Sequence, residues 1–179
     1  SVADGGDDCD DLNPLIRDTV HFVDRPASLQ HVDIVTHLAP DLPQVWGDAD
    51  LIKQVVLNVL VNAQQAITGQ GRIQVESRLV SALGKPEATT TDRVEIVIAD
   101  SGCGIPPAHL QRIFDPFFTS KEVGKGTGLG LSVSYGIVKS HGGDIAVDST
   151  EGVGTTFRIV LPLASPFGDE AGAAPESTA

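Results

Sequence analysis

Asn58 and Asn62 stand four residues apart in the run "VVLNVLVNAQQA", a spacing that sets both carboxamides on one face of a helix. Asparagine is a modest helix former and avoids burial, yet both sit among Val and Leu. One amide oxygen on such a face suits a hard cation such as Mg²⁺, with its neighbour touching phosphate or ordered water. The plainer alternative is two polar residues at the edge of an apolar stripe. In "VIADSGCGIP", Asp100 ends an alternating stretch and is followed by Gly102 and Gly104. A carboxylate there can accept a hydrogen bond from the exocyclic amine of a purine, with the glycines turning the chain tightly beside a flat base. An ordinary Asp-Ser-Gly turn fits equally well.

Two further stretches complete the set. "IFDPFFTSK" carries Phe114, Phe117 and Phe118 with no helix or strand period. Its rings either pin a loop to the core or anchor a hinged lid that brings Lys121 and Lys125 to phosphate. "GKGTGLGLSVSYGIVKSHGG" sets Gly124, Gly126, Gly128 and Gly130 against the start of an apolar-periodic run. Glycines let backbone approach a ligand, and a helix N-terminus offers unpaired N–H groups, so the pair makes an anion site. A glycine-rich cap is the alternative.

Such groups need a frame. Leu12 to Val23 reads as a helix with Asn13 as N-cap and Pro14 at the first helical position. His31 to Leu38 reads as a half-buried strand. Asp48 caps a long helix from about Ala49 to Thr68, in which Leu51, Ile52, Val55, Val56, Val59, Leu60, Ala63 and Ile67 form a broad apolar face. Arg72–Val80 and Arg93–Ala99 alternate as strands, around the loop "SALGKPEATTT". Pro107 to Ile113 reads as a short helix, Leu129 to Ser140 as the second long one. Ile145–Ser149 and Thr155–Leu161 read as a hairpin turned by "TEGVG". The strands come in hairpin pairs, so the expected fold is an α/β two-layer sandwich: a mixed, largely antiparallel sheet covered on one face by helices. The expected organisation is a disordered acidic segment 1–11, one domain over 12–163 with a lid at about 106–126, and a disordered tail 164–179.

Composition narrows the possibilities. The hydrophobic fraction of 41% and charged fraction of 20% fit a globular protein. A formal charge of −12 disfavours nucleic acid as partner, which needs a basic face. No apolar run approaches a membrane span and no signal peptide is visible. There is no Met, which reads as a fragment or processed product. Cys9 and Cys103 lack metal spacing and read as free thiols of a reducing cytosol.

Taken together and in order, the four stretches resemble the ATP-binding domain of the GHKL superfamily, and within it the catalytic domain of sensor histidine kinases. "NVLVNAQQA" resembles the asparagine box, "DSGCGI" the first glycine box, "FDPFF" the phenylalanine box and "GTGLGLS" the second glycine box. The resemblance spans about Asp48 to Leu161, and its short lid is most like the nitrogen-regulator type. It implies Mg²⁺ at Asn62, phosphates near Asn58, the adenine amino group at Asp100, and Gly102 and Gly104 flanking the base. It implies that Gly126, Gly128 and Gly130 hinge the lid and shape the phosphate site, with Thr127, Leu129 and Leu131 at the helix start. Thr155 would reach adenine through water. Gln65, Ile105, Phe114, Phe118, Lys121 and Lys125 would complete the ATP site. Hydrolysing members of the superfamily place a glutamate where Asn58 stands; an amide cannot serve as that base, which implies phosphoryl transfer rather than hydrolysis.

None of His21, His31, His37, His109 or His141 is followed by an acidic residue, as the family's acceptor histidine usually is. All five read as ordinary surface or structural residues. The implied partners are therefore a histidine-bearing dimerisation domain of the same parent protein and a downstream response regulator. The fragment is expected to be monomeric, the parent homodimeric, and this portion cytoplasmic whether or not the parent is membrane-anchored. A serine kinase of the anti-sigma type and a nucleotide-sensing module without transferase activity are the alternatives.

Overall fold

The computed structural model describes residues 9–81, 92–119 and 128–163. The expectations for a disordered N-terminal segment, for the loop around 82–91 and for the tail lie largely or wholly outside these residues. So do those for Lys121, Lys125, Gly126 and Thr127.

The core forms around α2, Ala49–Ala66. Asp48 is its N-cap: the carboxylate accepts the N–H groups of Asp50 at 2.9 Å and Leu51 at 3.1 Å, satisfying two donors that the helix cannot. Ile52, Val55, Val56, Val59, Leu60 and Ala63 are buried, while Leu51 stands at the exposed edge of the stripe. The helix stops before Thr68 because Ile67 is already extended and buries its side chain.

Helix α1 spans Leu12–Leu29, well beyond Val23. Its buried stripe of Leu12, Ile16, Val20 and Val23 continues to Ala27, so packing carries the helix past the exposed Pro26 despite the lost backbone bond. Asn13 does not cap it. Its amide donates to the Ala39 carbonyl at 2.7 Å and accepts from Ser77 Oγ at 2.8 Å, fastening the first turn to the sheet.

The five-stranded sheet comprises β2 (Val32–Leu38), β4 (Gly71–Val80), β5 (Arg93–Asp100), β6 (Asp144–Thr150) and β7 (Gly154–Pro162) in the order β2-β4-β5-β7-β6. Only β2 against β4 is parallel; the other pairs are antiparallel. Ile73, Val75, Ile96, Ile98, Phe157 and Ile159 point inward under α1 and α2. Glu95 pairs with Arg78 and Asp148 with Arg158 on the other side. This is the expected two-layer sandwich. On β7 burial alternates because the strand period of two must match one covered face, whereas the central β5 buries Val94 to Ile98 without a break.

Two joints had no sequence signal. A two-residue ladder pairs β1 (Cys9–Asp10) with β3 (Val45–Trp46), placing the chain before α1 beside the start of α2. At the end of α4 (Gly130–Ser140), the buried His141 accepts the Asp48 N–H at Nε2, 3.0 Å, and its Nδ1 meets the Ile137 carbonyl at 2.7 Å. One imidazole thus joins the end of α4 to the cap of α2. Among the described residues no helix is long and apolar enough to cross a membrane.

Candidate functional site

A cleft of about 610 Å³ opens between α2 and residues drawn from 100–119 and 128–131. Asn58, Asn62 and Gln65 form its helical wall, at steps of four and three that keep them on one face of α2. Asp100 and Thr155 lie at the inner end, paired in register on β5 and β7. Gly104, Ile105, His109 and Phe118 make the opposite wall, and Gly128, Gly130 and Leu131 close the end at α4.

Asp100 is held by backbone. Its Oδ1 accepts the Gly102 N–H at 2.8 Å. Burial pushes the carboxyl above its ordinary range, opposed by the backbone N–H groups of Gly102 and Thr155. Beside it, Ser149 is a hub that sequence reasoning missed. Its hydroxyl accepts the Ile105 N–H at 2.8 Å, donates to the Gly154 carbonyl at 3.0 Å and meets Thr155 Oγ1 at 2.8 Å. With the Ser149 proton committed to Gly154, the Thr155 hydroxyl is the donor in that last bond.

The glycines after Asp100 answer to the protein's own packing. A Cβ on the buried Gly102 would lie 2.6 Å from the Ala66 carbonyl oxygen, which accepts the Cys103 N–H at 2.9 Å. The loop therefore packs onto the C-terminus of α2, and Gly102 does not line the cleft. Gly104 does line it, but its constraint is φ +69° and a Cβ position 2.2 Å from the Thr150 carbonyl oxygen. Gly104→Ala is expected to cost about 2–3 kcal/mol through backbone strain and displacement of the β6–β7 turn. Thermal unfolding followed by circular dichroism reads this as a drop of about 5–10 °C; an unchanged melt would show that the turn yields freely.

At the other end, Asn58 Nδ2 donates to the Gly130 carbonyl at 3.2 Å and to Ser134 Oγ at 3.1 Å, while the fully buried Ser134 donates to the same carbonyl at 2.8 Å. Both amide hydrogens are thereby used to stitch α2 to α4, and the carbonyl oxygen is what Asn58 has left to offer. Gly128 has φ +68°, a Cβ position 2.6 Å from the Phe117 backbone, and accepts the Phe117 N–H at 2.9 Å.

Two expected contacts move elsewhere. Phe114 is not on the cleft: its ring packs 5.2 Å from Tyr135 and edge-on at 6.5 Å to Phe157, so it serves the core. Leu129 is partly exposed and does not line the cleft. Phe118 does line it, with the Arg112 guanidinium 4.8 Å over its ring. Sequence reasoning also missed Phe157 and His109 in the lining. Phe157 was legible, being two residues beyond Thr155 on the same face of β7. Nothing in the local sequence marked His109.

Among the described residues no group of three or more His, Cys, Asp or Glu is placed to hold a metal ion. The donor set offers amide oxygens instead, which suits an ion such as Mg²⁺ that binds chiefly through substrate phosphates and keeps several waters.

The profile of the family described as "Histidine kinase-, DNA gyrase B-, and HSP90-like ATPase" matches residues 47–165. The chain is 39% identical over 159 residues to the signal transduction histidine-protein kinase AtoS of Escherichia coli (strain K12), covering 89% of this chain and 24% of AtoS. It thus spans about a quarter of that relative's length. The solved catalytic domain of histidine kinase ThkA matches at TM-score 0.73 and 31% identity, over 88% of this chain and 96% of that one. ThkA in complex with response regulator protein TrrA matches at TM-score 0.69 and 27% identity, over 89% of this chain and 42% of that one. A profile that takes in the helical wall, the carboxylate and the glycine-bearing end of the cleft, on a fold shared with ThkA, leaves one conclusion: the chain belongs to the histidine kinase-, DNA gyrase B- and HSP90-like ATPase family, an ATP-binding family.

Proposed function

We propose that this chain is the ATP-binding catalytic part of a sensor histidine kinase, passing the γ-phosphoryl of ATP to a histidine on a dimerisation domain outside it. The observation that carries the proposal is the chemistry at the two ends of the cleft. At the inner end stands a braced, acceptor-only carboxylate, Asp100, suited to the adenine amino group, with the Thr155 hydroxyl beside it for a bridging water. At the α4 end the helical wall offers Asn58, Asn62 and Gln65 and no carboxylate. A carboxamide cannot take a proton from water, so hydrolysis lacks its base. Phosphoryl transfer needs mainly positioning and charge neutralisation, which this wall and the glycines of α4 can give.

Asn62 would hold Mg²⁺ through its amide oxygen, and the bound ion would neutralise charge on the β- and γ-phosphates. Asn58 fixes the start of α4 against α2 and so sets where the phosphates rest. Lys121, Lys125, Gly126 and Thr127 extend this reading from sequence alone. ThkA, solved with a response regulator, supports a response regulator as the downstream acceptor here. The portion described would work in the cytoplasm, within a homodimeric parent.

The chain alone is expected to bind ATP without labelling itself from γ-³²P-ATP. Adding the cognate dimerisation domain should yield acid-labile, base-stable phosphate on that domain. Label on the isolated chain contradicts the proposal. Acid-stable phosphate on a partner would make it a serine kinase, and binding with no transfer at all would make it a nucleotide sensor.

A further inference from the structure

Ser149 does not line the cleft, yet it holds two residues that do, Ile105 and Thr155. Asp100, Thr155 and Ser149 stand in one row across β5, β7 and β6, with Thr155 the register partner of both others. A hydroxyl has one proton and two lone pairs to use. At Ser149 all three are spent: the proton on the Gly154 carbonyl at 3.0 Å, the lone pairs on the Ile105 N–H and the Thr155 hydroxyl, both at 2.8 Å. The Ile105 bond is a side-chain tie between the loop after Asp100 and the β6–β7 hairpin. Backbone bonds pin the same loop on both sides, Gly152 N–H to the Cys103 carbonyl at 2.7 Å and Cys103 N–H to the Ala66 carbonyl at 2.9 Å.

The direction of the Thr155 bond fixes what the inner end of the cleft offers. Thr155 gives its backbone N–H to the Asp100 carboxylate and its hydroxyl proton to Ser149. Whatever hydrogen bond the Thr155 side chain makes into the cleft, directly or through water, it therefore makes with a lone pair. An ionised Asp100 has only lone pairs as well. Both side chains at that end accept, and neither donates. A purine with an exocyclic amine meets them with donors; one with a carbonyl at the same ring position meets them lone pair to lone pair. We infer that Ser149 is a positioning residue for the base. By taking the Thr155 proton and tying Ile105 in place, it keeps the inner end acceptor-only and sharpens the choice of adenine over guanine nucleotides. This rests on the adenine-nucleotide reading of the cleft. Without Ser149 the Thr155 hydroxyl has lost its acceptor and is free to turn its proton toward a ligand.

Calorimetric titration of the intact chain with ATP and GTP, each with Mg²⁺, tests it, GTP being read by displacement of ATP where its own heat is small. Wild type should prefer ATP. Ser149→Ala should bind ATP about fivefold more weakly, the effect of one neutral hydrogen bond, and GTP no more weakly than before, so the preference falls by about fivefold. Ser149→Thr keeps the hydroxyl and should keep the wild-type preference. Ser149→Cys sets a weakly bonding sulfur in its place and should follow the alanine variant; should Ser149→Ala fail to fold, the Cys and Thr pair decides. A merely structural role would weaken both nucleotides alike, or lower stability alone. An unchanged ATP-to-GTP ratio in Ser149→Ala therefore overturns the inference, as does an equal loss of preference in Ser149→Thr, or a wild type that binds both nucleotides alike. A wild-type chain that binds neither overturns the nucleotide reading beneath it as well, an outcome distinct from binding both alike.

Discussion

Asp100→Asn is expected to lower ATP affinity by on the order of a hundredfold while leaving the nucleotide-free fold as stable as before, or more so. The Gly102 N–H bond at 2.8 Å needs only an oxygen, and an amide supplies one. The atom facing the ligand then becomes an NH₂, a donor set against the donor amine of adenine. A charge-assisted acceptor is replaced by a repulsive contact, which is why an isosteric change has so large an effect. Stability moves the other way because burial raises the Asp100 pKa from its ordinary 3.8. A carboxyl raised in the fold contributes fully below its unfolded pKa, and that contribution is lost as pH rises through the folded value. Above that window wild type carries an ionised, partly buried carboxylate and the variant does not. The melting difference in favour of Asp100→Asn should therefore grow from about pH 4 upward and then level off. Paired calorimetric titrations and pH-resolved thermal melts check both halves. Retained ATP affinity would remove Asp100 from the site, and a variant that melts progressively lower with rising pH would contradict the burial argument.

Asn58→Asp should abolish transfer to the dimerisation domain, by more than about a hundredfold, and cost the fold about 2–3 kcal/mol. The side chain is almost the same shape, but its two donated bonds disappear. Ser134 can turn its hydroxyl toward the new carboxylate; the Gly130 carbonyl has nothing to turn and meets an anion instead. The first turn of α4 is then released from α2 at the end of the cleft where the phosphates would rest. Ser134→Ala, losing one partner without adding charge, should cost only about 1 kcal/mol. Urea unfolding gives the stability of each variant and of the double variant, and strong non-additivity is expected because the three groups share one network. Transfer at wild-type rate in Asn58→Asp would show that this stitch has no part in placing the phosphates.

Much of this was legible because local and global signals agree. The apolar stripe of α2 and its Asp48 cap depend on side chains within one turn of each other, and the hairpin of β6 and β7 on period-two alternation and a glycine turn. Asn58 and Asn62 share a face by helical spacing, and Gln65 came with the family resemblance. What was not legible depends on partners distant in sequence. Nothing near Pro26 tells that Ala27 will be buried and keep α1 going. Asn13 has every local mark of a cap, but Ala39 and Ser77 claim its amide. Phe114 shares a box with Phe118 yet faces the core, because Tyr135 and Phe157 approach from other elements. At 102 and 104 the backbone of Ala66 and Thr150 already comes too close for a side chain, a constraint set by partners distant in sequence.

Helix α4 is fixed to α2 at both of its ends, through Asn58 at Gly130 and Ser134 and through His141 at Asp48. A beam held at two points has little compliance, neither sliding along its neighbour nor tilting on it without breaking one of the holds. Any accommodation to an incoming molecule must then come from outside this pair of helices, while the stiff side keeps its shape.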